Sequence, residues 1–136
     1  MNGVSEKKIV NLYTVLKWTY GLVAIVAGAD KFFNAITQWE KYVSPMVHNL
    51  LPISLTHFLY LVGVIEIVVG ILILTKYTRI GAYLLVAWLI LIVLNLLSMN
   101  AYYDICVRDL VMAVGAYALA QLCEIVHPTH AAPNRY

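Results

Sequence analysis

The sequence predicts an all-α protein, a four-transmembrane-helix bundle with an interfacial amphipathic helix between helices one and two. Three observations carry that expectation. Of 136 residues, 62% are hydrophobic and 12% charged, too few polar groups to cover a surface facing water, so most of the chain is solvated by lipid. Four segments, at about residues 9–33, 54–74, 79–99 and 105–126, reach the roughly 20 apolar residues with which a helix crosses a bilayer. The single long connection, residues 34–53, carries its own helical pattern. Backbone groups in lipid must be satisfied within their own segment, so these runs are expected to be helices; barrel strands would be shorter and would alternate polar with apolar residues.

The first segment follows Lys7 and Lys8 and ends near Ala27, Gly28 and Ala29, an arrangement with some likeness to a signal peptide and its cleavage site. Its length and the interrupting Lys17 instead favour a retained membrane helix. In the connection, Ile36, Trp39, Val43, Met46, Val47 and Leu50 recur at spacings of three and four, with polar residues between them. This predicts an amphipathic helix over about residues 35–51, lying at the outer interface and broken at Pro45, with Ser44 able to cap the second piece. Pro52 marks the turn into the second crossing, and the short link at residues 75–78 makes the second and third crossings antiparallel neighbours. Residues 1–126 are expected to form one integral membrane domain, and residues 127–136 a polar tail.

Four crossings place both termini on one side of the membrane. Lys7, Lys8, Lys76, Arg79 and Arg135 fall on that side, against Lys31, Lys41 and Arg108 on the other, which predicts cytoplasmic termini. The net charge of +2 is scattered and forms no basic run interleaved with aromatics, which excludes a nucleic-acid partner from the expectations. Cys106 and Cys123 fall in one helix, about 25 Å apart at 1.5 Å per residue, and cannot pair with each other. No metal or haem site is assigned, because neither His48 nor His57 has a third ligand at metal-binding spacing.

The chemistry concentrates on Glu66, a carboxylate in the middle of the second crossing. A charge at the bilayer centre costs on the order of 3 kcal/mol on insertion scales. The surrounding Leu, Ile, Val and Phe residues outweigh that cost but give the carboxylate no partner. Gly63 and Gly70 share its helix face at i−3 and i+4, and small residues admit a neighbouring helix, so Glu66 is expected to point into the bundle. The first helix repeats the pattern, with Gly21, Ala24 and Gly28 in one stripe between Lys17 and Lys31. Trp88, Ile92 and Asn95 form one face of the third crossing, and Asp109, Ala113, Ala116 and Ala120 one face of the fourth. Lys31, Asn95, Arg108 and Asp109 are therefore expected to gather above Glu66, either as a purely structural network or as the lining of a ligand pocket. A carboxylate buried there without a cation beside it could carry a proton.

The run Gly63-x-x-Glu66-x-x-x-Gly70-x-Leu72-x-Leu74, followed by Thr78-Arg79-x-Gly81-Ala82, resembles the second and third helices of the DoxX-like membrane proteins. The Gly28-x-x-Lys31-Phe32 ending of the first helix and the Arg108-Asp109-Leu110 opening of the fourth fit the same pattern. The resemblance implies a four-helix bundle in a prokaryotic cytoplasmic membrane and an association with redox chemistry. The namesake is a small subunit of a thiosulfate:quinone oxidoreductase, relatives accompany thiol or oxidative-stress enzymes, and some eukaryotic relatives assist receptor assembly or cargo export. This chain departs from the redox-active members in lacking their cysteine pairs.

Three functions follow as expectations. The first is a membrane subunit or accessory factor of an oxidoreductase system, with Glu66, Lys31, Asn95, Arg108 and Asp109 holding a quinone headgroup or similar molecule. In that reading Lys31 and Arg108 donate hydrogen bonds and Glu66 exchanges a proton. The second is a non-enzymatic assembly partner that docks another membrane protein through the interfacial helix and the Tyr-rich helix ends; a partner membrane protein or a homo-oligomer is expected in either case. The third is a small proton-coupled transporter acting as a dimer, although small multidrug transporters carry their carboxylate on the first helix, unlike this chain.

Overall fold

A computed structural model describes residues 3–128 and contains five α-helices. These are α1 (Gly3–Phe33), α2 (Pro45–Leu50), α3 (Leu55–Leu74), α4 (Thr78–Ser98) and α5 (Tyr103–Val126), with a short 3-10 helix at Trp39–Tyr42. Four of them, α1, α3, α4 and α5, are long and apolar enough to cross a membrane. They form a ring in which α1 packs on α3, α3 on α4, α4 on α5 and α5 back on α1. The predicted tail, residues 127–136, lies outside the described residues beyond Pro128.

Most boundaries agree with the apolar segments to within a few residues; α1 is the exception and begins six residues early, at Gly3. The tight link between α3 and α4 is closed by Thr78, whose fully buried hydroxyl lies 2.7 Å from the Ile73 carbonyl and 2.8 Å from that of Thr75. It occupies acceptors that the end of α3 would otherwise leave bare.

The closest helix contact is between α1 and α3, and glycine makes it possible. A Cβ on Gly28 would lie 2.6 Å from the Gly63 carbonyl oxygen, and one on Gly63 equally close to that of Gly28. One on Gly70 would lie 2.7 Å from the oxygen of Gly21. The two helices thus touch backbone to backbone at Gly28/Gly63 and Gly21/Gly70, where no larger residue fits. The main core sits in the terminal half of the bundle, where Tyr13, Val69, Ile73, Ala82, Leu85 and Leu119 are buried together. A smaller cluster of Val93, Leu96 and Cys106, covered by Tyr42 and Tyr102, closes the α4–α5 end.

The connection between α1 and α3 corrects the expectation of a helix over residues 35–51. Its second piece forms as the sequence suggests: Pro45 opens α2 and the Ser44 hydroxyl accepts from the Val47 N–H at 3.2 Å. The first piece is not an amphipathic α-helix. Asn34, in the left-handed region at φ 51°, ends α1, and the next residues fold back over the Asp30 carboxylate. Oδ1 of Asp30 accepts from the Ala35 and Ile36 N–H groups at 2.8 and 2.9 Å, and Oδ2 from Thr37 N–H at 3.4 Å. A buried carboxylate that collects successive amide donors offers this backbone better partners than an exposed helical turn would, so only Trp39–Tyr42 winds up, as a 3-10 turn.

Candidate functional site

Helix geometry brings Lys31 and Glu66 together. They lie one turn beyond Gly28 and Gly63 respectively, on antiparallel helices, so their Cα atoms move apart along the common axis. Side chains on an α-helix tilt toward its N-terminus, however, so Lys31 leans inward along α1 and Glu66 outward along α3. The two long chains meet beside the glycine contact. Lys31 Nζ donates to Glu66 Oε2 at 2.6 Å, and both residues are buried, 6% and 7% exposed. The other carboxylate oxygen, Oε1, accepts from the Trp88 indole N–H at 3.1 Å. Glu66, the twelfth of the twenty residues of α3, is therefore held from both sides in the middle of the bundle.

The Lys31 ammonium also lies 3.8 Å from the centre of the Trp39 ring and 3.5 Å from the Ala27 carbonyl oxygen. Trp39 is aimed by Asp30, whose Oδ2 accepts from its indole N–H at 2.7 Å. Neighbouring residues at the end of α1 thus divide the labour. Asp30 fixes the connection and its tryptophan, and Lys31 takes the face of that tryptophan on one side and Glu66 on the other. A desolvated cation–π contact of this kind contributes about 2 kcal/mol, and the carboxylate contact makes it a charge-compensated cage.

The remaining predicted residues take different places. Asn95 does not reach Glu66. Its Oδ1 accepts from Ser44 N–H at 3.0 Å and its Nδ2 donates to the Tyr42 carbonyl, so it ties the connection to α4. Arg108 points outward, with its side chain 62% exposed, and pairs through Nε with its neighbour Asp109 at 3.2 Å. Asp109 is buried and lies within range of the Lys31 charge, but its hydrogen-bonding partner is Arg108 and not Glu66. Of the five expected residues, Lys31 and Glu66 meet directly, Asp109 is buried within range of Lys31 with Arg108 beside it, and Asn95 ties the connection to α4. Asn95 and Arg108 do not meet Glu66, because α4 turns the first toward the connection and α5 turns the second toward the bundle exterior.

Trp39, Trp88 and the Asp30 turn are the parts that sequence reasoning missed as partners. The sequence puts Trp88 on the Asn95 face and Trp39 in an apolar stripe, and shows a partner for neither. Adjacent Asp30 and Lys31 at the end of a membrane helix were the available signal, since two opposite charges there each need a partner.

Beside Glu66 is a cavity of about 60 Å³, bounded by α1, α3, α4 and α5. Ala24 and Ala27, Ile92 and Met112 give it apolar walls, and Glu66 and Trp88 supply its polar edge. At about 30 Å³ per water molecule, it is the size of two waters. Among the described residues no group of His, Cys, Asp and Glu is arranged to hold a metal ion. The cavity wall thus carries one carboxylate, to which the Trp88 indole N–H and, from behind the wall, the Lys31 ammonium both donate. A family model described as DoxX matches residues 12–97. No curated protein and no solved structure matches the chain.

Proposed function

We propose that this chain, which belongs to the DoxX family, serves as a membrane subunit or accessory factor of a quinone-linked oxidoreductase system. In this reading the cavity beside Glu66 takes the headgroup of a small lipophilic molecule such as a quinone. The observation that supports it is a carboxylate clamped by Lys31 and Trp88 at the edge of an otherwise apolar intramembrane cavity. Such a site offers a reduced ring hydroxyl one acceptor, Glu66, and offers a carbonyl oxygen the Trp88 N–H in exchange for its bond to Glu66. Met112, unbranched and half-buried, is the wall that yields when a ring larger than the cavity enters. The proposed setting is a prokaryotic cytoplasmic membrane with both termini in the cytoplasm.

Titrating the purified protein with a short-chain quinone analogue tests the proposal through tryptophan fluorescence. Saturable quenching is expected, lost in Trp88→Phe and shifted to about tenfold or more higher concentration in Glu66→Gln, in line with a lost charge-assisted hydrogen bond. Quenching that never saturates, or that Glu66→Gln leaves unchanged, refutes it.

A second reading, a non-enzymatic assembly partner for another membrane protein, is favoured by a different observation. Lys31 and Glu66 already satisfy each other and Asp30 is satisfied by the connection, so the polar centre is complete without a ligand. Purification in mild detergent separates the two. A stoichiometric partner that survives Glu66→Gln supports assembly, and its absence together with saturable quinone binding supports the first reading.

A further inference from the structure

At the opposite end of the bundle, the link between α3 and α4 opens onto a groove of about 590 Å³ lined by Lys76, Tyr77, Arg79, Ile80, Tyr83 and Leu84. All six face outward, and from α4 onward they lie on one side of the helix at i, i+1, i+4 and i+5. Its lining combines two cations and two tyrosines with two aliphatic side chains, Ile80 beside Arg79 and Leu84 one turn further along α4. A phospholipid has the same two needs, cations for its phosphate and an aliphatic track for an acyl chain.

We propose that this groove binds an anionic membrane lipid, with its phosphate between Lys76 and Arg79 and an acyl chain along Ile80 and Leu84. Lipid of some kind must cover this face, because α4 crosses the membrane and Ile80 and Leu84 are exposed on it. The selectivity for a negative headgroup comes from how Arg79 is held. Its Nε pairs with Glu124 of α5 at 3.1 Å. The same Glu124 oxygen accepts from the Tyr83 hydroxyl at 3.0 Å, which in turn accepts from the Gln121 amide at 2.8 Å. This chain from α5 to α4 anchors the guanidinium through Nε, and the two amino groups of its fork are not committed by that pair. Lys76 stands over the Tyr77 ring at 5.2 Å and lines the same groove. Against Glu124 the two cations leave one net positive charge, matched to a phosphodiester. Cations near an anionic membrane surface each strengthen such binding. The site stands apart from Glu66 and does not depend on the function proposed for that centre.

Native mass spectrometry of the delipidated full chain in detergent tests the inference, with phosphatidylglycerol, phosphatidylcholine and inorganic phosphate as probes. One phosphatidylglycerol is expected to be retained in preference to phosphatidylcholine at equal concentration. Lys76→Gln and Arg79→Gln should each lower that retention roughly fivefold, and the double variant should bring it to the phosphatidylcholine level. Arg79→Lys, which keeps the charge but has neither the Nε anchor nor the fork, should lower it about as far as Arg79→Gln does; full retention in Arg79→Lys would refute the part assigned to the anchored guanidinium. Lys7→Gln/Lys8→Gln, which removes two exposed cations from the same side of the membrane, should leave it unchanged. Equal retention of the two lipids, or an equal loss in the Lys7/Lys8 control, overturns the proposal. Displacement of the lipid by millimolar inorganic phosphate overturns it as well, by reassigning the groove to a soluble anion.

Discussion

Removing Lys31 while keeping Glu66 leaves a buried carboxylate with the Trp88 indole as its one remaining side-chain donor. Breaking a buried pair from one side costs about 3–5 kcal/mol, whereas replacing both partners by apolar residues of similar size is often close to neutral. Lys31→Met and Glu66→Met should therefore each lower the resistance of the fold to denaturing detergent, and the double variant should recover most of the loss. Additive losses would show that the two residues contribute independently. The meeting of these residues was legible in the sequence, because Gly28 and Gly63 lie one turn before Lys31 and Glu66 and announce a close approach. The tryptophans were not legible as partners. An indole at an apolar position reads as core or as an interfacial anchor, and its N–H shows a role only once a carboxylate stands opposite. Asn95 was legible as a polar residue that must find partners, but the Tyr42 and Ser44 backbone groups that satisfy it depend on the path of the connection.

The four crossings and their order were readable from length and composition, while helix rotation was readable only where polar or small residues mark a face. In a soluble protein the outward face is polar; here both faces are aliphatic. Leu89 and Leu96 are buried in α4 while Leu91 and Leu94 on the same helix are exposed, and nothing in their side chains distinguishes them. That is why Arg108 was placed inside and is found outside. The glycine seam of α1 and α3 carries its own test. Gly63→Ala drives a methyl group into the Gly28 carbonyl, and Gly28→Ala does the reverse, so each should separate the helices and cost about 1–3 kcal/mol in detergent unfolding. Gly3→Ala, with open space around its Cβ position, should cost nothing measurable. Loss of stability in all three variants alike would locate the effect in the backbone instead of the seam.

At the scale of the molecule, Lys31 has two settings, because a charge that ends buried against Glu66 still stands at the membrane surface while orientation is being set. The count that predicts cytoplasmic termini is therefore five cations on the terminal side against Lys31, Lys41 and Arg108. Reporter fusions at the C-terminus should accordingly be active when the reporter requires the cytoplasm and silent when it requires export; the reverse pattern would invert the proposed topology. The same ion pair also places a clock on biogenesis. Lys31 enters the membrane with α1, but its partner lies 35 residues later in the chain. At about 5–20 residues per second the ribosome needs roughly 2–7 seconds to make that stretch, and longer to release it. Through that interval Lys31 belongs to the membrane interface, where its long stem lets the ammonium stay hydrated. Only the arrival of α3 draws it inward, so the charge that at first holds the end of α1 at the surface afterwards fastens it to its neighbour.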